Sequence, residues 1–182
     1  MMYDFLYKLQ VTGQLKFTEG HITILGHPSL MLIPEEAFLT LQEELIKKDP
    51  YKLYQAGRRA GEELYELIAH HTLNQKAILK YGINLINLSG FGKLTIVAHK
   101  LEEGKAVFNL EESIAATLKI EDHTCHYMRG LLAGFTQETT KKELECIEEK
   151  CMSMGAKTCQ FLIKPRNQFN PTSELTQKQL QL

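Results

Sequence analysis

The sequence predicts an α+β fold in which an antiparallel sheet is packed with helices. Three stretches carry that reading. Residues 13–25, G-Q-L-K-F-T-E-G-H-I-T-I-L, alternate on either side of Glu19-Gly20, as a β-hairpin does. Residues 34–88 bring apolar side chains round at helical spacing. Residues 93–110, K-L-T-I-V-A-H-K-L-E-E-G-K-A-V-F-N-L, give a strand, a Glu-Glu-Gly-Lys turn and a second strand.

Taken in order, Leu30 to Ile33 reads as a third strand after the hairpin. Pro34 suits the start of a helix whose stripe is Phe38, Leu41 and Leu45. Asp49-Pro50 is an N-cap and first turn for a second helix, with Leu53, Gly57, Gly61, Leu64 and Ile68 inward. Its glycines lower helix propensity, so they predict a close backbone approach. Asn74 caps a third helix bearing Ile78, Tyr81, Leu85 and Leu88, stopped by Gly90. In the second half, His123 to Gln137 is a short helix with Gly130 and Gly134 on one side. Thr140 to Cys151 and Cys159 to Lys164 are the closing strands. The predicted organisation is a single domain over residues 1–164, which the family resemblance given below implies is ligand-binding. Residues 165–182, polar and glutamine-rich, read as a flexible polar tail.

Composition narrows the function. The chain has 182 residues, 43% of them hydrophobic, enough for one domain with a real core. A net charge of −1 argues against a general nucleic-acid binder. No apolar run is long enough to span a membrane. The start, M-M-Y-D-F-L-Y-K-L-Q, lacks the pattern of a signal peptide. The four cysteines are therefore expected in a reducing, cytoplasmic setting, where metal binding or plain packing is a better default than a disulfide.

Cys125 opens the 123–137 helix, Cys146, Glu148 and Cys151 follow on a strand, and Cys159 begins the last one. Zinc accepts thiolate, imidazole and carboxylate in sets of four, so Cys125, Glu148, Cys151 and Cys159 make a candidate tetrahedral set. Side chains alternate along a strand, so positions 148 and 151 can face one ion only if the chain bends near 149–151. Spacing alone leaves three readings open: a metal site, a Cys151–Cys159 disulfide, and free cysteines packed in a hairpin.

The joint pattern H-T-C-H-Y-M-R-G-L-L-A-G-F and E-E-K-C-M-S-M-G-A-K-T-C-Q-F resembles the signature of the 4-vinyl-reductase-type domain, over about residues 90–164. The resemblance implies the NO-signalling/Golgi-transport ligand-binding-like fold, shared by Golgi-transport (TRAPP) tethering subunits and by phenol-sensor domains of bacterial activators. It also implies a zinc on three Cys and one Glu, which fall on Cys125, Glu148, Cys151 and Cys159. Cys146 matches no ligand position.

The resemblance implies a stand-alone regulatory domain that binds a small hydrophobic or aromatic molecule in a pocket between helices and sheet. With four protein ligands the zinc is expected to be structural, and the apolar faces of residues 34–88, larger than one small sheet can cover, predict a homodimer. Two alternatives belong to other classes: a reductase or accessory protein in tetrapyrrole metabolism, and a tethering or assembly subunit. Enzyme chemistry finds little support in motifs. No G-x-G-x-x-G follows a strand, and neither a P-loop nor G-x-S-x-G occurs. Other polar candidates have plainer readings. His70-His71 suits a helix C-terminus. His123 and His126 flank Cys125 as substitute ligands, His99 falls on a strand face, and Arg58-Arg59 fits a solvated helix face.

Overall fold

Alternation along Lys105–Glu111 sends Ala106, Phe108 and Leu110 to one face, where all three are buried. The strand beside it, Cys159–Pro165, buries Cys159, Phe161 and Ile163 in the same way. These two strands form the centre of a four-stranded antiparallel sheet. The computed structural model describes residues 2–30 and 33–181. In chain order its elements are α1 (Met2–Val11), β1 (Leu15–Thr18), β2 (His21–Ile24), β3 (His27–Leu30), α2 (Glu35–Lys48), α3 (Pro50–Ala69), α4 (Gln75–Leu88), β4 (Lys93–Lys100), β5 (Lys105–Glu111), α5 (His126–Thr140), β6 (Leu144–Lys150), β7 (Cys159–Pro165) and α6 (Glu174–Leu180). The sheets run β1-β2-β3 and β4-β5-β7-β6, with every pairing antiparallel. The fold is α+β, as the sequence predicts.

The two expected hairpins and the N-caps at Asp49 and Asn74 are present. The Asp49 carboxylate accepts from the Tyr51 N–H, and the Asn74 side chain accepts from the Ala77 N–H. Helices α3 and α5 pack backbone to backbone. A Cβ at Gly57 or Gly61 would overlap the carbonyl of Tyr127 or Leu131, and one at Gly130 or Gly134 would overlap the carbonyl of Tyr54 or Arg58. The close approach inferred from the glycines is therefore reciprocal.

The structure corrects several expectations. The third strand lies at His27–Leu30, not Leu30–Ile33; it is an edge strand, where Pro28 is tolerated. Met31 and Leu32 fall outside the described residues. Residues 2–11, read in the sequence only for a leader, form α1. On α2 the stripe is out of phase: Leu41 is 64% exposed, and the residue buried in its place is Gln42. Helix α5 starts at His126 and runs on to Thr140, with the Thr139 and Thr140 hydroxyls bonding back to carbonyls four residues earlier. It ends where Lys141 turns left-handed, at φ 56°, so the next strand starts at Leu144 instead of Thr140.

The largest difference concerns the segment expected to be a flexible tail. Residues 166–181 fold back over the outer face of β6 and β7. Phe169 and Leu180 are buried with Ile147, and Leu162 and Leu175 pack beside them. Without this cover Ile147 and Leu162 would leave apolar area in water. The Ser173 side chain caps α6 by accepting from the Thr176 N–H. Gln179 completes the attachment at the free edge of β6. The Glu148 N–H donates to its Oε1 at 2.7 Å, and its Nε2 donates to the Glu148 carbonyl at 3.0 Å.

Two substitutions test this packing. Gly130→Ala gains about 1 kcal/mol of helix propensity. It also forces a methyl against the Tyr54 carbonyl, which cannot yield as a flexible side chain would, so urea denaturation should show a net loss of about 1–3 kcal/mol. Gln179→Ala strips partners from a buried N–H and C=O and should cost about 1–3 kcal/mol.

Candidate metal centre

Four elements converge at the β5–β7 end of the sheet. Cys125 is the N-cap of α5, Glu148 lies on β6, Cys151 follows β6 and Cys159 opens β7. The bend required between positions 148 and 151 is present. The β6–β7 register shifts between Glu148 and Lys150, after which Cys151 enters a 3-10 turn closed by Gly155 at φ 86°. The irregularity turns Glu148 and Cys151 toward one point.

One ligand atom from each of Cys125, Glu148, Cys151 and Cys159 lies within 4.8 Å of all the others, and all four residues are buried. The Cys125 and Cys159 sulfurs are 3.5 Å apart, and those of Cys159 and Cys151 are 3.9 Å apart. A tetrahedral ion with metal–sulfur bonds of about 2.3 Å sets its sulfurs about 3.8 Å apart, so the spacing fits. Glu148 Oε2 accepts from the Cys125 N–H at 3.3 Å, whereas its buried Oε1 has no hydrogen-bond partner. A buried carboxylate oxygen without a partner, on a residue grouped with three thiols, is suited to a cation. This group of three cysteines and one glutamate can hold a metal ion.

The electrostatics agree. Hydrogen bonds from Cys125 and Cys159 hold the Cys151 thiol far below the ordinary thiol range. The bond to Cys151 and then that to Cys159 push Cys125 well above it. Cys159 is pulled down by its bond to Cys125 but is raised overall, by Cys151 and by burial. Burial raises Glu148, and the charge on Cys151 adds to the effect. The cluster thus accepts one negative charge readily and resists the next, and a divalent cation relieves that repulsion. The supporting shell consists of Ser113 Oγ at 3.3 Å from the Cys125 sulfur, Ser153 Oγ at 2.9 Å from Cys151, and the Met152 N–H donating to Cys159 at 3.3 Å. All four cysteines are free, and Cys146 is buried in the core outside the cluster.

Of the other residues weighed in the sequence, His126 is buried and its pKa is lowered by burial to about 4, so it is neutral. Its Nδ1 lies 3.4 Å from Arg129. His123 pairs with Asp122 at 3.4 Å. Arg59 is exposed, as expected, but Arg58 is only partly solvated: it meets Glu145 at 3.3 Å and the Leu144 carbonyl at 3.2 Å. Glu145 also receives the Tyr54 hydroxyl and Arg166. Arg129, which sequence reasoning missed, is fully buried. It stacks 4.4 Å from the centre of the Tyr54 ring and donates to the carbonyls of Cys146 and Gln179. No motif marks it, since its partners are distant in the chain.

A cavity of about 550 Å³ opens between α3, α4 and α5. Leu64, Leu67, Leu85, Ile86, Phe91 and Leu131 line it together with the polar Glu63, Glu66, His70 and Ser89, and Ile24 of β2 lies at one side. It therefore lies among the helices and the N-terminal hairpin, and not against the four-stranded sheet. Among the described residues no helix is long and apolar enough to cross a membrane.

With the fold and the cluster in place, residues 107–165, about a third of the chain, match the model of the V-4-R domain, so the chain is similar to that family over this stretch. A curated relative, the uncharacterized protein MJ0150 of Methanocaldococcus jannaschii, is 23% identical over 114 residues, which is 62% of each chain. This chain thus spans less than two thirds of that relative. Three solved structures share the fold. The phenol-responsive sensory domain of the transcription activator PoxR, solved with phenol, superposes with a TM-score of 0.80 at 21% identity, over 94% of this chain and 93% of that one. A vinyl-4-reductase family protein of Methanocaldococcus jannaschii gives 0.50 at 21% identity, over 74% and 83%. A trafficking protein particle complex subunit 3 from Naegleria fowleri, covalently bound to palmitic acid, gives 0.54 at 13% identity, over 71% and 93%. The resemblance read from the Cys and Glu pattern is borne out by these matches.

Proposed function

We propose that the chain is a regulatory domain that binds a small hydrophobic or aromatic molecule, and that Cys125, Glu148, Cys151 and Cys159 hold a structural zinc. The cavity between α3, α4 and α5 carries the ligand reading: it is concave, combines apolar walls with a few polar groups (Glu63, Glu66, His70), and is large enough for a small aromatic molecule. The fold shared with a phenol-responsive sensory domain over nearly the whole chain supports it. Three thiolates favour zinc over the hard cations, and four protein ligands leave no position for water or substrate, so the role is structural. The reading extends to a homodimer, supported by exposed Tyr7, Val11, Phe17 and Leu41, and to a reducing compartment, supported by four free buried thiols. Residues 2–181 would act as one ligand-binding unit.

Metal analysis under reducing conditions should return one zinc per chain. Cys151→Ser or a chelator should remove it and lower the thermal midpoint by more than about 5 °C. Cys146→Ser should keep the metal, losing only about 1 kcal/mol for a buried hydroxyl. Equal metal content in the two variants would sink the ligand assignment. For the cavity, Ala60→Trp fills it from α3 and should weaken binding of an anilinonaphthalene sulfonate dye at least about tenfold, a difference of ~1.4 kcal/mol.

A further inference from the structure

Helix α6 has seven residues and rests on a small apolar cluster, Ile147, Phe169 and Leu180, with Leu162 and Leu175 beside it. So little apolar contact leaves its position to polar ties, and these converge on the Cys and Glu cluster. The first tie is the buried Gln179 side chain. It accepts from the Glu148 N–H at 2.7 Å and donates to the Glu148 carbonyl at 3.0 Å. A neighbouring strand makes the same pair of bonds, so Gln179 holds the end of β6 as a strand would. It does so at the residue where the register shift toward Cys151 begins.

The second tie runs along the surface. Lys178 meets Asp122 at 2.6 Å, the Asp122 carbonyl accepts from the Ser153 hydroxyl, and that hydroxyl oxygen lies 2.9 Å from the Cys151 sulfur. The Lys178 side chain is 63% exposed, so this ion pair alone contributes little. The third tie is Arg129, buried beneath the helix. It donates at 2.6 Å to the Gln179 carbonyl and at 3.3 Å to the Cys146 carbonyl of β6. Carbonyls in a last helical turn have no partner within the helix, so the guanidinium serves an otherwise orphan acceptor. Two cluster residues are thus joined to α6, Glu148 directly and Cys151 through Ser153 and Asp122.

We propose that occupancy of the Cys125, Glu148, Cys151 and Cys159 cluster controls the docking of α6, so that loss of the metal uncovers the outer face of β6 and β7. The proposal rests on the reading of the cluster as a zinc site. A bound cation holds Glu148 and Cys151 together across the register shift, and that is the backbone geometry Gln179 grips. Without the cation, Glu148 Oε1 is buried with no partner in a group with three thiols, and the carboxyl gains by moving toward water. Movement of Glu148 breaks both bonds to Gln179 and leaves the small apolar cluster to hold α6 unaided. The coupling is reciprocal, so a change that loosens α6 also weakens metal binding. Release exposes Ile147, Leu162 and the backbone groups of Glu148 at the free edge of the sheet, which is then open to pairing.

The sequence has no tryptophan, so Leu175→Trp, at a half-buried position of α6, reports docking by its fluorescence. In the full chain loaded with zinc under reducing conditions, its emission should be that of a shielded indole. Stripping the zinc with EDTA should shift the emission to the red, and added zinc should reverse the shift. Far-UV circular dichroism should lose at most the seven helical residues of α6. In the reciprocal direction, Gln179→Ala and Leu180→Ala should each weaken zinc binding at least about fivefold, read by competition with a chelating dye. Leu180 touches no cluster residue through a hydrogen bond, so its effect reports docking itself. An unchanged zinc affinity in either variant overturns the proposal. So does a loss of helix beyond α6, because the metal then supports the whole fold. If zinc binds and the emission is indifferent to it, only the control of α6 falls. If the chain takes up no zinc, the metal assignment falls and this proposal with it.

Discussion

The backbone contact between α3 and α5 is the constraint on which the rest is built. Four glycines let the two helices approach until carbonyl oxygens occupy the places where Cβ atoms would stand. That approach fixes the axis of α5, and α5 then fixes three things at once. Its N-cap presents Cys125 to the β6–β7 hairpin, its first turns supply Tyr127 and Leu131 to the cavity wall, and its buried Arg129 reaches across to the carbonyls of β6 and α6. The cost of glycine in a helix is offset here by dispersion between closely packed backbones.

The cluster and the cavity lie on different sides of α5 and answer to different physics. The cluster is small, dry and rich in negative charge, and its geometry is held by a bulge, a cap and a tight turn. The cavity is shaped by side chains from helices whose spacing the glycines set. Tyr127 and Cys125 sit within one turn of each other, so the cluster and the cavity share one short stretch of helix.

Much of this was legible in the chain. The hairpins follow from period-two alternation, the caps at Asp49 and Asn74 from side-chain chemistry, and a close backbone approach on α3, though not its partner, from glycines four apart. The Cys and Glu set needed the resemblance as well, because spacing alone left a disulfide and plain packing open. What was illegible depended on neighbours. Leu41 and Gln42 differ by one step of a helix, and apolar periodicity chooses the leucine. The C-terminal segment hides Phe169, Leu175 and Leu180 among glutamines, at intervals that match no helical stripe. Only the apolar outer face of β6 and β7 shows why they fold back. Arg58 looks solvated, and Arg129 draws no notice, until Glu145, Tyr54 and the β6 carbonyls are in place.

The C-terminal helix makes its own small apolar cluster with Ile147, Phe169 and Leu180, separate from the main core. Its opening therefore disrupts few contacts and belongs to the low-energy end of the protein's local fluctuations. The Glu148 amide is shielded by Gln179 of that helix, and not by a neighbouring strand. Deuterium uptake at this one amide consequently keeps time with the docking of α6, on the same residue whose carboxylate faces the three sulfurs.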